Sequence, residues 1–295
     1  MDESTQSVLD AAGLTGRKAL ALDAAGAGTA LVVDVSRDEM LDRWAAARDA
    51  VHRTGRWPVL CQRTEAHDGE IFSRFYFEEG ADGADSGPAA VLARAETIDV
   101  DARMADLLRG QLGNDDAERT VERHRSRTLA DYGDAPPAAR IRAAVGGDEP
   151  APIAVERHLF EWERTHEPVH EPDAGVQDWF GREDDPALVL LPVARPWAVY
   201  AYVHTLYDAC WYGHDLLVAA ARRWYERYGA EPVAALEVTS WLRVTRPPGS
   251  PDDAWRLAVE HHAVAESTFV TPDVALRQHA RLLPHRNRWV LFSRP

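Results

Sequence analysis

The pattern closest to a known catalytic motif is His166-Glu167-Pro168-Val169-His170, which has the HExxH spacing of zinc metalloproteases. In that motif one continuous helix places both imidazoles on the same face, where they bind the metal. Pro168 removes a helix amide and clashes with the preceding turn, so the two rings are not expected to align. The sequence therefore predicts no functional metal here, and at most weak, unselective binding of a divalent ion.

A second candidate for chemistry is the stretch 197–231, which holds three of the ten tryptophans and six of the eight tyrosines. Two interpretations are open. Aromatic side chains at helical spacing usually fill a core, and in a groove they stack on a planar ligand. In such a groove Asp208, His214 and Glu231 would supply polar groups. The candidate ligand-binding residues are Trp197, Asp208, His214, Trp224, Tyr228 and Glu231.

Other patterns assign no chemistry. The sequence contains no P-loop, no GxSxG elbow and no HRD-type kinase loop. Gly26-Ala27-Gly28 follows an apolar run, but it lacks the third glycine of a dinucleotide loop and precedes a second apolar run. A hairpin turn explains it better. No catalytic residue and no cofactor is therefore predicted.

The elements that must position these groups are clearest near the C-terminus. The apolar run 188–192 is typical of a buried strand, and the stripe His214–Tyr228 is typical of an amphipathic helix that ends at Gly229. Segments 233–236, 241–245 and Arg288–Phe292 have strand patterns. The sequence predicts an α+β protein with a mixed or antiparallel sheet flanked by helices. N-terminal strands either join that sheet or form a smaller one.

Composition and charge suggest three regions. Residues 1–130 form an N-terminal α/β region. Residues 131–187 hold five arginines against fourteen acidic residues and are rich in proline and glycine, which indicates a linker or surface excursion. Residues 188–295 form a C-terminal α+β domain.

The overall charge, the N-terminus and the cysteines indicate which partners and which compartment to expect. With 48 acidic against 33 basic residues, the formal charge of −15 makes nucleic acid an unexpected partner. Lys18 is the only lysine, so salt adaptation and a GC-rich genome both remain possible causes. The acidic N-terminus resembles no signal peptide, no apolar run is long enough to span a membrane, and the two cysteines suggest no disulfide framework. We expect a cytoplasmic protein without a membrane partner.

The stretch 219–233, AAARRWYERYGAEPV, followed by WLRVTRPP at 241–248, resembles the domain of unknown function 4253 family. That family's pattern is a helix ending in W-x-x-x-Y-G-A-E, a strand pair and R-P-P. The resemblance covers roughly residues 187–295, and GRWPVL at 55–60 is similar to the family's upstream element. The family has no established activity, so the resemblance implies a fold neighbourhood and not a function.

The sequence therefore supports two hypotheses for the function of the protein. The first is a non-enzymatic module that binds another protein, which the charge asymmetry and the lack of a chemical motif favour. The alternative is a small-molecule-binding protein or hydrolase that uses the aromatic cluster 197–231.

Overall fold

The computed structural model describes residues 3–72, 87–112, 117–145, 151–169, 185–207, 209–270 and 274–294. The chain divides into two compact units. A sheet unit comprises Met1–Val100, Gln177–Arg246 and Asn287–Pro295. A helical unit comprises Asp101–Val176 and Pro247–Arg286. The chain therefore leaves the sheet unit twice to build the helical one, and the boundaries predicted at 130 and 187 stay a prediction.

The sheet unit contains one seven-stranded sheet in the order β1-β2-β4-β3-β5-β6-β7. Only the β3–β5 pair is parallel among the strand pairs of the described residues. The strands are β1 (Ala19–Asp23), β2 (Thr29–Asp34), β3 (Trp57–Gln62), β4 (Pro186–Leu191), β5 (Glu231–Leu236), β6 (Thr239–Arg243) and β7 (Arg288–Phe292).

The burial of each strand follows its sequence pattern. Every residue of β4 is buried, as its unbroken apolar run predicts for a central strand. The edge strand β1 is half-buried or exposed along its whole length. The predicted α+β class is confirmed with a mixed sheet, and the N-terminal strands join the C-terminal ones in it.

Helices account for most of the remaining described chain. They are α1 (Glu3–Ala11), α2 (Met40–Asp49), α3 (Val51–Thr54), α4 (Arg63–Asp68), α5 (Pro88–Ala95), α6 (Val100–Leu112), α7 (Ala117–Tyr132), α8 (Ala138–Ala144), α9 (Ala151–Glu163), α10 (Val199–Tyr202), α11 (Ala209–Tyr212), α12 (His214–Tyr228), α13 (Pro251–Val264), α14 (Ser267–Val270) and α15 (Leu276–Leu282). Among the residues described, no helix is both long and apolar enough to cross a membrane.

Helices α7, α8, α9, α13, α14 and α15 belong to the helical unit, with nearly all of α6. Two of them, α8 and α9, lie inside the region 131–187 that the sequence interprets as a linker or surface excursion. Helix α9 is a packed element, because its buried residues include Ile153, Val155, Leu159 and Phe160. Proline starts such helices as readily as it interrupts them, so proline density alone does not indicate a linker here.

Helix α12 ends as its sequence predicts. Gly229 adopts the left-handed conformation with φ 59°, and its N–H donates to the carbonyl of Tyr225 at 2.8 Å. A β-carbon at this position would lie 2.0 Å from Oγ1 of Thr245. Gly55 ends α3 in the same conformation, with φ 65°, but a β-carbon there would meet nothing within 4 Å.

These two glycines give a matched test. Gly229→Val should lower the free energy of unfolding by more than about 1 kcal/mol, because a β-branched residue is strained at positive φ and its side chain would also collide with Thr245. Gly55→Val introduces the backbone strain without the collision, so its free energy of unfolding should fall by less. Urea denaturation of both variants measures the difference. Equal losses would show that the contact with Thr245 does not constrain this helix end.

Candidate functional site

The predicted aromatic residues of α12 lie in the core of the sheet unit. Trp224 is fully buried, and its ring meets that of Trp289 edge to face, with centroids 6.4 Å apart. Tyr228 is also buried and contacts the same indole, with centroids 5.6 Å apart. The structure thus brings Trp224 and Tyr228 together around β7, where they contribute to packing.

The other predicted ligand-binding residues have different neighbours. Trp197 is half-buried and packs against Tyr225, with ring centroids 5.1 Å apart. His214 is buried, and its Nδ1 is 3.0 Å from the carbonyl of Tyr200. Buried Glu231 accepts two hydrogen bonds from Arg48, of 2.5 and 3.1 Å. Asp208 lies outside the described residues.

The HExxH-like segment is not helical where the structure describes it. Helix α9 ends at Glu163, before the motif begins. The imidazole of His166 stacks on Trp162 with centroids 3.7 Å apart, and its Nδ1 is 2.7 Å from that residue's carbonyl oxygen. His170 lies outside the described residues. Within the part of the chain that is described, no three His, Cys, Asp or Glu side chains are grouped to hold a metal ion.

The helical unit contains a cavity of about 450 Å³. Its apolar lining includes Leu112, Ile153, Phe269 and Leu276. Its polar lining consists of Arg123, His124 and Arg127 from α7, Glu156 from α9, His262 from α13, and Glu266. This mixture of an apolar surface with a few converging polar groups is typical of a small-molecule site.

The position of His124 in this cavity is fixed by a carboxylate. Its Nδ1 lies 2.5 Å from Oε1 of Glu156, so the ring N–H donates to that oxygen. Arg123 donates to the other ring nitrogen, Nε2, at 3.1 Å. The imidazole is therefore held in one orientation, with Nε2 as the acceptor.

Glu156 is held in turn by Arg277 of α15. The Nη1 group of Arg277 donates to both carboxylate oxygens of Glu156 at 2.9 Å, and the backbone N–H of Arg277 donates to Oε2 at 3.2 Å. Burial alone would raise the pKa of Glu156, but the charge of Arg277 and the hydrogen bonds from His124 and Arg277 outweigh it and lower the pKa below its ordinary value. Glu156 is thus an ionised carboxylate inside the protein.

A second buried carboxylate completes the network. Nε of Arg277 donates to Oε1 of Glu163 at 2.6 Å, and the hydroxyl of Thr128 donates to the same oxygen at 2.8 Å. Arg281, one turn along α15, pairs with Oε2 of Glu163. The side chains of Arg277 and Glu163 are both fully buried. The guanidinium of Arg277 therefore joins α15 to α7 and α9.

His262 is the least satisfied polar group of the cavity wall. Its side chain is almost completely buried and stacks on Phe269, with centroids 5.1 Å apart. Among the described residues, Nδ1 of His262 has no hydrogen-bond partner. Burial lowers the pKa of His262 to about 4, although the charge of Glu156 acts in the opposite direction. The ring is therefore neutral at pH 7.

None of these cavity residues was predicted from the sequence. One signal was present, because Glu156 and Glu163 lie seven residues apart and share a face of α9 with Leu159 and Phe160. Carboxylates on an apolar helix face indicate buried partners. The sequence could have identified a buried polar site on α9, but not its partners on α7 and α15.

Removing the central cation should destabilise the protein. Arg277→Met leaves two buried carboxylates without their main partner, which costs about 3 to 5 kcal/mol of the free energy of unfolding. Adding Glu156→Gln and Glu163→Gln should recover part of that loss, since the unpaired charges disappear. Arg142→Met, which breaks an exposed pair with Glu118, is the control and should have little effect. Chemical denaturation measures all four proteins; an Arg277→Met protein as stable as the control would contradict this role.

The buried histidines should make the fold acid-sensitive. Burial lowers the pKa of His262 to about 4 and of His204 and His279 to about 3, and holds that of His261 well below its ordinary value of 6.5. The unfolded chain therefore binds protons below pH 6.5 that the folded chain does not. Stability is complete above pH 6.5 and falls toward pH 4, by up to about 1.4 kcal/mol per pH unit for each histidine.

Denaturation between pH 7.5 and 5 tests this effect. His262→Leu should reduce the pH slope of the unfolding free energy by up to one proton. His52→Leu, which removes an exposed imidazole, is the comparison. A slope that is identical in wild type and His262→Leu would show that His262 is not the buried neutral group described above.

No curated protein matches the chain, and no solved structure does. A protein family does match, over a segment that includes α12 with Gly229, β5, β6 and β7. Residues 187–292 match the family described as Domain of unknown function (DUF4253), which confirms the resemblance of the C-terminal third of the chain.

Proposed function

We propose that the protein binds a small molecule in the cavity of its helical unit. The observation that carries the proposal is His262, a buried imidazole on the cavity wall whose Nδ1 has no hydrogen-bond partner among the described residues. A buried polar atom without a partner costs about 1 to 3 kcal/mol. Natural proteins keep such groups where function requires them, and a ligand bound beside the ring would remove water and supply polar contacts.

The shape and lining of the cavity support the same function. A volume of about 450 Å³ is within the range of ligand pockets, roughly 300 to 1,000 Å³. The polar groups are held in place before any ligand arrives, because Arg277 fixes Glu156 and Glu156 fixes His124. Such preorganisation reduces the entropy lost on binding. The proposal is of the same class as the alternative function expected from the sequence, but it uses different residues from the 197–231 cluster.

The binding function is proposed as non-enzymatic and cytoplasmic. The described residues of the cavity lining include no cysteine, serine or threonine. Cys61 is a buried free thiol, and burial raises its pKa, as suits an unreactive cysteine in a reducing compartment.

A second candidate is the protein-binding function that leads the sequence-based expectations. Strand β1 is a sheet edge that pairs only with β2 among the described strands, and Leu20 on it is 38% exposed. An exposed apolar edge can accept an extended segment of another protein as an additional strand. This function and ligand binding use separate surfaces and are compatible.

Mass spectrometry of the full chain under non-denaturing conditions tests ligand binding. Protein purified from its native host should carry a small-molecule mass that denaturation releases. Val274→Trp, at a half-buried position of the cavity lining, should prevent retention of that mass because the indole occupies the space. Leu129→Trp, at an exposed position of α7 outside the lining, should retain it.

The same spectra separate the two candidates. A released small molecule that Val274→Trp still retains would place the ligand elsewhere and overturn the cavity proposal. Spectra that contain only protein–protein assemblies would favour binding through β1.

A further inference from the structure

We propose that the ligand of this cavity is an organic acid, whose carboxylate pairs with Arg123 and whose apolar part lies against Phe269 and Leu276. This inference rests on the proposed ligand-binding function and gives the ligand its chemical class. It depends on three features of the cavity, namely a cation without a carboxylate partner, an imidazole that holds this cation in place, and an apolar wall.

The cation is Arg123. Its guanidinium lines the cavity and donates to Nε2 of His124 at 3.1 Å, and no carboxylate of the described residues pairs with it. Elsewhere in the same unit, Arg142 and Arg157 each pair with a carboxylate. Arg123 is exposed at the cavity, so its guanidinium is accessible to a ligand. A ligand carboxylate would supply the missing charge.

The group that positions this cation is His124. Its Nδ1–H donates to Glu156, and its Nε2 accepts from Arg123 at 3.1 Å. The imidazole therefore holds the guanidinium at the cavity, while the other N–H groups of Arg123 have no carboxylate partner among the described residues.

The carboxylates of the cavity do not oppose this assignment. Both oxygens of Glu156 accept hydrogen bonds from Arg277, which balances its charge. Glu266 has a partner of its own within the chain. Arg127, one turn after Arg123 on α7, adds a second guanidinium to the lining.

The apolar wall defines the rest of the ligand. Phe269 and Leu276 are buried side chains of the lining, and Phe269 stacks on His262. His262 is neutral at pH 7 and adds no charge to this side. The arrangement matches a molecule with one anionic end and an aliphatic or aromatic body, on which a polar atom beside Nδ1 of His262 would supply the hydrogen bond that the ring lacks.

Calorimetry on the full chain tests the assignment with paired probes. Benzoate and hexanoate should bind, and the isosteric neutral amides, benzamide and hexanamide, should bind at least tenfold more weakly. Arg123→Gln should weaken benzoate or hexanoate binding by roughly tenfold or more, the effect of losing one charge-assisted hydrogen bond. Arg119→Gln, on the same helix but outside the lining, should leave affinity unchanged.

Other outcomes overturn the inference in distinguishable ways. Amides that bind as tightly as the acids would exclude an anionic ligand but leave ligand binding intact. Phenyl phosphate binding more tightly than benzoate would assign the anion to phosphate instead of carboxylate. If no acid binds while the native-host protein retains a small molecule, the ligand class is wrong and the proposed function stands. If no acid binds and the native-host protein retains no small molecule, both the ligand class and the proposed function are wrong.

Discussion

The helical unit depends on one buried guanidinium. Arg277 is fully buried and bonds to Glu156, Glu163 and Thr128, which lie on two different helices. Burying a guanidinium and two carboxylates costs several kcal/mol per ion, and their mutual attraction offsets this only when the geometry is good and the remaining polar atoms are satisfied. Here Arg277 pairs with both anions and Arg281 adds a second cation at Glu163, so the alignment of α15 with α7 and α9 is specified by charge as well as by apolar packing.

The geometry of the candidate site depends on the ion pairs of Arg277. Arg277 orients Glu156, Glu156 orients His124, and the direction of Nε2 follows. Each contact in this series holds the next side chain in place, so the imidazole of His124 has a fixed position at the cavity. Burial keeps His262 neutral on the wall of the same cavity, because it lowers the pKa of the ring more than the charge of Glu156 raises it.

Sequence patterns predicted the sheet unit better than the site. The apolar run of β4, the stripe of α12 and the position of Gly229 are local signals, and each was confirmed because burial and backbone conformation act within a few residues. The network joins positions 124, 156 and 277, and no periodicity connects residues that far apart. Aromatic content was ambiguous for a different reason. The sequence pattern of Trp224 and Tyr228 would be the same in a core as in a ligand-binding groove. Only their contacts with Trp289 show that they lie in the core.

The extent of the family match bears on where ligand specificity resides. Residues 187–292 include Arg277, His262 and Phe269, whereas Arg123, His124 and Glu156 lie before the matched segment. The matched segment therefore supplies the central cation and one wall of the cavity, and residues 101–176 supply the carboxylates and the groups that face the ligand. Neither part contains a complete site, because an isolated Arg277 or an isolated Glu156 would be a buried charge without a partner. The proposed binding function thus belongs to the combination of the two segments, because the proposed anion-binding groups lie on α7 and the apolar wall lies largely in the matched segment.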